Sequence, residues 1–243
     1  MRPLIEICCY NLSSCLVAQA SGADRIEFCD NPAEGGTTPS YGAISLARKK
    51  LQVPLFPIIR ARGGDFLYND DEYLIMQQDV KTCKEIGCDG VVVGILNQDG
   101  SIDKKRSAKL VQIAYPMSVT FHRAFDRTRN LFDALEDIID IGCERILTSG
   151  GMPTALEGTA CISQLVKQAN ERIIIMPGAG IRSGNIENLV HSTRAEEFHS
   201  SASRHVTGSM QFLNLEMNEN LYYTASDGEE VKRIVQLLHA LNR

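Results

Sequence analysis

Short apolar runs of strand length alternate with helix-length segments along the chain, and that alternation restricts the fold more than any single motif. The runs are LIEIC (4–8), RIEFC (25–29), LFPIIR (55–60), GVVVG (90–94), SVTFHR (118–123), RILTS (145–149), RIIIMP (172–177) and AEEFHS (195–200). Between them stand segments with helical spacing, among them LSSCLVAQASG, DEYLIMQQDVKTCKEIG, SAKLVQIAY, LFDALEDIIDIG and ALEGTACISQLVKQA. Strands that are apolar on both faces and separated by helices belong in a parallel sheet covered by those helices. A local echo supports the repeat: GADRIEF, GCDGVVV and GCERILT each place Gly, a small residue and an acid ahead of a strand. The Gly suits the left-handed turn that ends a helix. These echoes precede strands two, four and six, as in paired βα units. Eight strands favour a (β/α)8 TIM barrel over an open doubly wound sheet. The 243 residues then read as one domain over 1–243, with an extended loop near 203–228 and a final helix near 228–241.

Charge and composition exclude several function classes. The formal net charge is −5, and no basic run interleaves with aromatic residues, which argues against nucleic acid as a partner. No stretch approaches eighteen consecutive apolar residues, so no membrane span is expected. A first strand that begins by Pro3 leaves no room for a signal peptide, and a cytoplasmic protein follows. Eight cysteines stand at 8, 9, 15, 29, 83, 88, 143 and 161 without a Cys-x-x-Cys pair. That spacing supports neither a disulfide framework nor a structural zinc site, so reduced thiols are expected.

In such a barrel the chemistry gathers at the C-terminal ends of the strands. Strand one ends in Glu6-x-Cys8 and strand two in Glu27-x-Cys29, and period-two alternation puts each Glu on the same face as its Cys. Glu6, Glu27, Arg60, His122 and His199 could ring one cavity as acid–base groups. Buried charge that merely plugs a barrel is costly, which favours a functional ring. Cys8 and Cys29, on adjacent strands, could supply two soft ligands to Cu(I). Two small buried thiols would look the same in sequence. Cys9 points the other way, and Cys83, Cys88, Cys143 and Cys161 fall away from the strand ends; these read as packing.

Anion recognition has separate signals. MPGAGI (176–181) and FHSSA (198–202) follow strands seven and eight, where barrels often bind phosphate through backbone N–H groups. Gly178 and Gly180 would let the backbone approach an anion, and Ser200 or Ser201 could donate to it. Arg60 and Arg62, in RARGGDFLYNDDE, could clamp a carboxylate or phosphate, ahead of a helix capped near Asn69 or Asp70. FHRAFD (121–126) suits acid–base work or a structural network. Thr154 and Glu157 read as a helix-capping box.

Taken in order, GADRIEFC, EGGTTPSYG, RARGGDF, DGVVVG, VTFHRAFD, GCERILTSG, TALEG, MPGAGI and EFHSSA resemble the CutC family over residues 22–202. The resemblance implies a cytoplasmic TIM barrel, often dimeric or tetrameric, associated with copper tolerance and Cu(I) binding. It also implies that Cys8 and Cys29 are the matching ligand cysteines. Two departures stand out. The family's usual Arg-Pro-Arg reads Arg60-Ala61-Arg62, and its usual His-Gly-Ser reads His199-Ser200-Ser201. Losing that Gly weakens the phosphate reading of the last loop.

Two function classes follow. A binding protein would hold Cu(I) between Cys8 and Cys29. An enzyme would use Glu6 or Glu27 with His122 or His199 on a small anionic metabolite held by Arg60.

Overall fold

The computed structural model describes residues 2–219 and 221–241. Eight parallel strands stand around an axis: β1 (Leu4–Cys9), β2 (Arg25–Phe28), β3 (Leu55–Pro57), β4 (Gly90–Val93), β5 (Ser118–Phe121), β6 (Arg145–Thr148), β7 (Ile174–Pro177) and β8 (Glu197–Ser200). Hydrogen-bonded ladders run β3-β2-β1-β8 and β4-β5-β6-β7. The two ladders join where Ile58 bridges Val92, with the Ile59 N–H donating to the Val92 carbonyl at 2.8 Å. At the other seam, β7 meets β8 by side-by-side packing. There a Cβ on Gly178 would lie 3.4 Å from the His199 Cβ.

Among the described residues eight helices form the outer ring: α1 (Leu12–Ala20), α2 (Tyr41–Lys50), α3 (Asp70–Ile86), α4 (Lys104–Ala114), α5 (Leu131–Ile141), α6 (Thr159–Ala169), α7 (Ile186–Thr193) and α8 (Gly228–Ala240). Each packs on the next, and α8 returns to α1. The fold is the expected TIM barrel. In α5 the residues Ala134, Leu135, Ile138 and Ile141 are buried, at the spacing that turns one face of a helix to the sheet. The glycine of each sequence echo takes the left-handed turn, with φ of 94° at Gly22, 84° at Gly87 and 85° at Gly142.

The same echo also sets the bottom of the barrel. Its first strand residue is Arg25 in β2, Gly90 in β4 and Arg145 in β6, and Glu197 completes that level from β8. Arg25 donates to Glu197 at 2.6 Å and Arg145 donates to the same oxygen at 2.9 Å. Phe56 lies under both guanidinium groups, 5.1 and 5.5 Å from its ring centre. Gly90 leaves the space this ring fills, since a Cβ there would stand 2.4 Å from the Phe56 edge. Side chains from alternate strands thus close the lower end.

The segment expected as an extended loop contains an antiparallel hairpin, β9 (Ser203–Thr207) paired with β10 (Tyr222–Ser226). It is tied to α1, because the Asn11 amide donates to the Thr224 carbonyl and the Ser14 hydroxyl accepts from the Ser226 N–H. Asp227 then caps α8. Asn69 caps α3 in a reciprocal pair with Glu72, as its sequence indicates. The Thr154–Glu157 box is different: the Thr154 hydroxyl accepts from the Glu157 N–H at 3.3 Å, but the helix starts only at Thr159, so the contact shapes the preceding turn.

Replacing Gly90 by Ala should destabilise the protein by roughly 1–3 kcal/mol through overpacking against Phe56. Adding Phe56→Leu to that variant should cost less than the two changes summed, because they share one space. Thermal melts of the three variants check this.

Candidate functional site

Parallel register places Glu6 beside His199 and Cys8 beside Glu27 at successive levels of the barrel interior. Glu6 is 1% exposed and lies between two cations, accepting from Arg25 Nε at 2.5 Å and facing His199 Nδ1 at 2.7 Å. Burial alone would raise its pKa, yet Arg25 and His199 hold it down at about 2. The other nitrogen of His199 lies 3.7 Å from Glu27 Oε2. Burial works against the charged imidazole, but the acceptors Glu27, Cys8 and Glu6 outweigh it and push His199 well above the ordinary histidine range.

Above this pair stand the thiols. Cys8 Sγ and Cys29 Sγ are 3.6 Å apart, and Cys29 Sγ is 3.4 Å from Glu27 Oε2. The neighbouring Cys29 thiol and His199 lower the pKa of Cys8 well below that of a free cysteine. Burial and the adjacent Cys8 raise Glu27, while burial raises Cys29. One donor atom from each of Cys8, Glu27 and Cys29 falls within 4.8 Å of the others, a group able to hold a metal ion. Cys9 contacts Ser226 on the outer side, in line with a packing role.

A cavity of about 490 Å³ opens above this floor, at the C-terminal end of the strands. Cys8, Glu27, Arg60, His122, His199, Gly180, Ser200 and Ser201 line it, whereas Glu6 and Cys29 lie behind that surface. His122 is buried, its Nδ1 accepts from the Ala124 N–H at 3.1 Å, and its ring sits 4.9 Å from Phe66. Burial and the Arg60 charge lower its pKa to about 3, so the imidazole is neutral.

Several predicted residues do other work. Arg60 spends its guanidinium on the carbonyls of Glu34, Gly36 and Gly64, which stitches two loops together. Arg62 stands apart from the cavity, paired with Glu72 and Asp65. Gly178 is in the β7–β8 seam rather than the cavity wall. The Ser200 hydroxyl donates to the Ile181 carbonyl at 2.7 Å, and the Ser201 hydroxyl lies 3.1 Å from that of Ser203. In FHRAFD, Asp126 accepts from the Ser149 and Gly151 N–H groups and from Thr148, so it is a loop clamp.

The sequence reading did not single out Arg25, Tyr10, Phe66, Arg127 or Arg182. Arg25 had a readable signal: it stands two residues before Glu27, on the same face of its strand. Tyr10, Phe66 and Arg182 sit in loops and Arg127 ends a short 3-10 turn, Phe125–Arg127, and no periodicity gives their paths.

Two histidines make stability fall on either side of neutrality. His122 stays neutral when folded and protonates near 6.5 when unfolded, so falling pH below 6.5 favours the unfolded chain. His199, with its raised pKa, loses stability only as pH rises above that value. Denaturant unfolding at pH 6.5 and 5 should therefore show a loss for wild type, at most about 1.4 kcal/mol per pH unit from His122. His122→Asn should flatten that acid limb; an unchanged slope would show that His122 titrates normally.

The model of the CutC family matches residues 3–204. A CutC family protein of Chromobacterium violaceum is 50% identical over 212 residues, 87% of this chain and 86% of the relative. The copper homeostasis protein cutC homolog of Homo sapiens is 44% identical over 211 residues, 87% of this chain and 77% of the relative. Among solved structures, the CutC of Streptococcus agalactiae aligns with a TM-score of 0.79 and 33% identity, covering 82% of this chain and 98% of that one. Phosphoribosyl anthranilate isomerase of Thermotoga maritima aligns at 0.60 and 14% identity, covering 98% of this chain and 100% of that one, a likeness of fold alone. With relatives this similar over this much of its length, the chain belongs to the CutC family.

Proposed function

We propose that this protein takes part in copper homeostasis by holding Cu(I) between Cys8 and Cys29, with Glu27 as a neighbouring oxygen donor. The observation that carries this reading is the convergence of those three donor atoms within 4.8 Å. Thiolates are soft ligands, and Cu(I) is the soft ion suited to a site with few of them, whereas structural zinc takes four ligands. The two sulfurs stand 3.6 Å apart, near enough for one ion to reach both.

The surroundings suit a cuprous bis-thiolate, whose net charge is negative. His199 and Arg25 stand beneath it as cations. Cys8 gives up its proton readily and faces the cavity, so it is the first ligand that incoming copper would meet. All eight cysteines are free thiols, which suits the reducing cytoplasm. Among the described residues no helix is long and apolar enough to cross a membrane. Exposed Met210, Phe212, Tyr222 and Tyr223, around the hairpin, suit a contact between copies in a homo-oligomer, a dimer or tetramer.

An anaerobic Cu(I) titration against a competing chelator tests the site. Wild type should bind one equivalent, and Cys8→Ser and Cys29→Ser should each weaken binding by a hundredfold or more. Glu27→Gln should cost roughly tenfold, as expected for a group that supports the thiolates. Cys143→Ser serves as the control and should bind like wild type. Unaltered affinity in the Cys8→Ser/Cys29→Ser variant would reject the reading.

A further inference from the structure

The cavity above the thiols carries features that copper binding leaves unused. The first is His122. Its Nδ1 accepts from the Ala124 N–H, so the ring proton sits on Nε2, and that atom is buried without a partner among the described residues. Buried polar atoms are almost always hydrogen-bonded, and an exception at a cavity wall marks a place for a ligand atom. The ring is held firmly. A Cβ on Gly94, just after β4, would lie 2.4 Å from Cε1, so the backbone abuts one edge, while the Phe66 ring stands 4.9 Å away, tilted by 45°.

The second feature is an excess of positive charge. Arg127 and Arg182 line the same cavity, and among the described residues neither pairs with a carboxylate. Arg182 donates instead to the Ser203 carbonyl at 2.9 Å. Of the two lining carboxylates, Glu34 accepts from the Gly64 N–H at 3.0 Å and Glu27 faces His199 and Cys29, while Arg123 is matched by Asp126. The volume of about 490 Å³ lies within the range of small-molecule pockets.

We propose that this cavity binds a small organic anion, a carboxylate or a phosphate ester, whose oxygen accepts the His122 Nε2 hydrogen and whose charge is met by Arg127 and Arg182. The site uses neither thiol, so it stands or falls separately from the copper reading.

The test titrates the intact protein with inorganic phosphate and, separately, with malonate, holding ionic strength constant with sodium chloride. Melting temperature and the ¹⁵N resonances of the His122 ring are followed. At least one probe should saturate in the millimolar range, raise the melting temperature and move the Nε2 resonance. Saturation by phosphate alone would mark a phosphate ester as the ligand class, and by malonate alone a carboxylate. The Arg127→Ala/Arg182→Ala variant should bind that probe roughly tenfold more weakly or worse, as loss of charge-assisted contacts requires. Cys143→Ser, buried away from the cavity, should bind it like wild type. Failure of both probes to saturate, equal affinity in the arginine variant, or an unmoved His122 resonance would each overturn the proposal.

Discussion

Glu6 is an ionised carboxylate almost wholly removed from water, and the interior of the barrel is arranged around its charge. Arg25 meets one oxygen and His199 the other. Removing either cation would leave a buried charge poorly matched, a loss on the order of 3–5 kcal/mol. The dependence extends both ways along the axis. Arg25 also engages Glu197, which takes Arg145 at the bottom, while His199 carries the series up to Glu27 beside Cys8. The orientation of His199 under Cys8 is therefore set by contacts reaching the far end of the barrel.

Stability alone does not account for that string of charges. Apolar side chains of similar volume often serve a core as well as a buried ion pair does. What the string adds is electrostatic order. Positive charge is held below a pair of cysteines, one of which loses its proton readily. A thiolate needs such a setting to persist without water around it.

Much of this was legible in the sequence, and the reason is periodicity. Alternation in β1 and β2 put each Glu on the face of its Cys, and repeated βα units made those strands neighbours. The echo that ends three helices also contains Arg25, Gly90 and Arg145, the three positions that shape the barrel bottom. Arg60 shows where such reasoning stops. Its place at the end of β3 was readable, but its partners are backbone carbonyls of two loops, and no side-chain pattern records where a carbonyl will point. Asp126 is similar, since its role depends on the Ser149 and Gly151 N–H groups of a loop distant in sequence. The hairpin of β9 and β10 was hidden by its weak alternation and the long segment between its strands.

The closed lower end makes the barrel a vessel with one mouth. Ion pairs and the Phe56 ring fill the bottom, so traffic to Cys8 and Glu27 passes the arginines at the top. Cys29 is not part of the cavity lining, so Cys8 is the thiol that meets the cavity. Two guests sharing such a vessel would form a stack, with the last to enter the first to leave. An anion seated at the mouth would then act as a stopper, tying the residence time of whatever lies beneath it to its own departure.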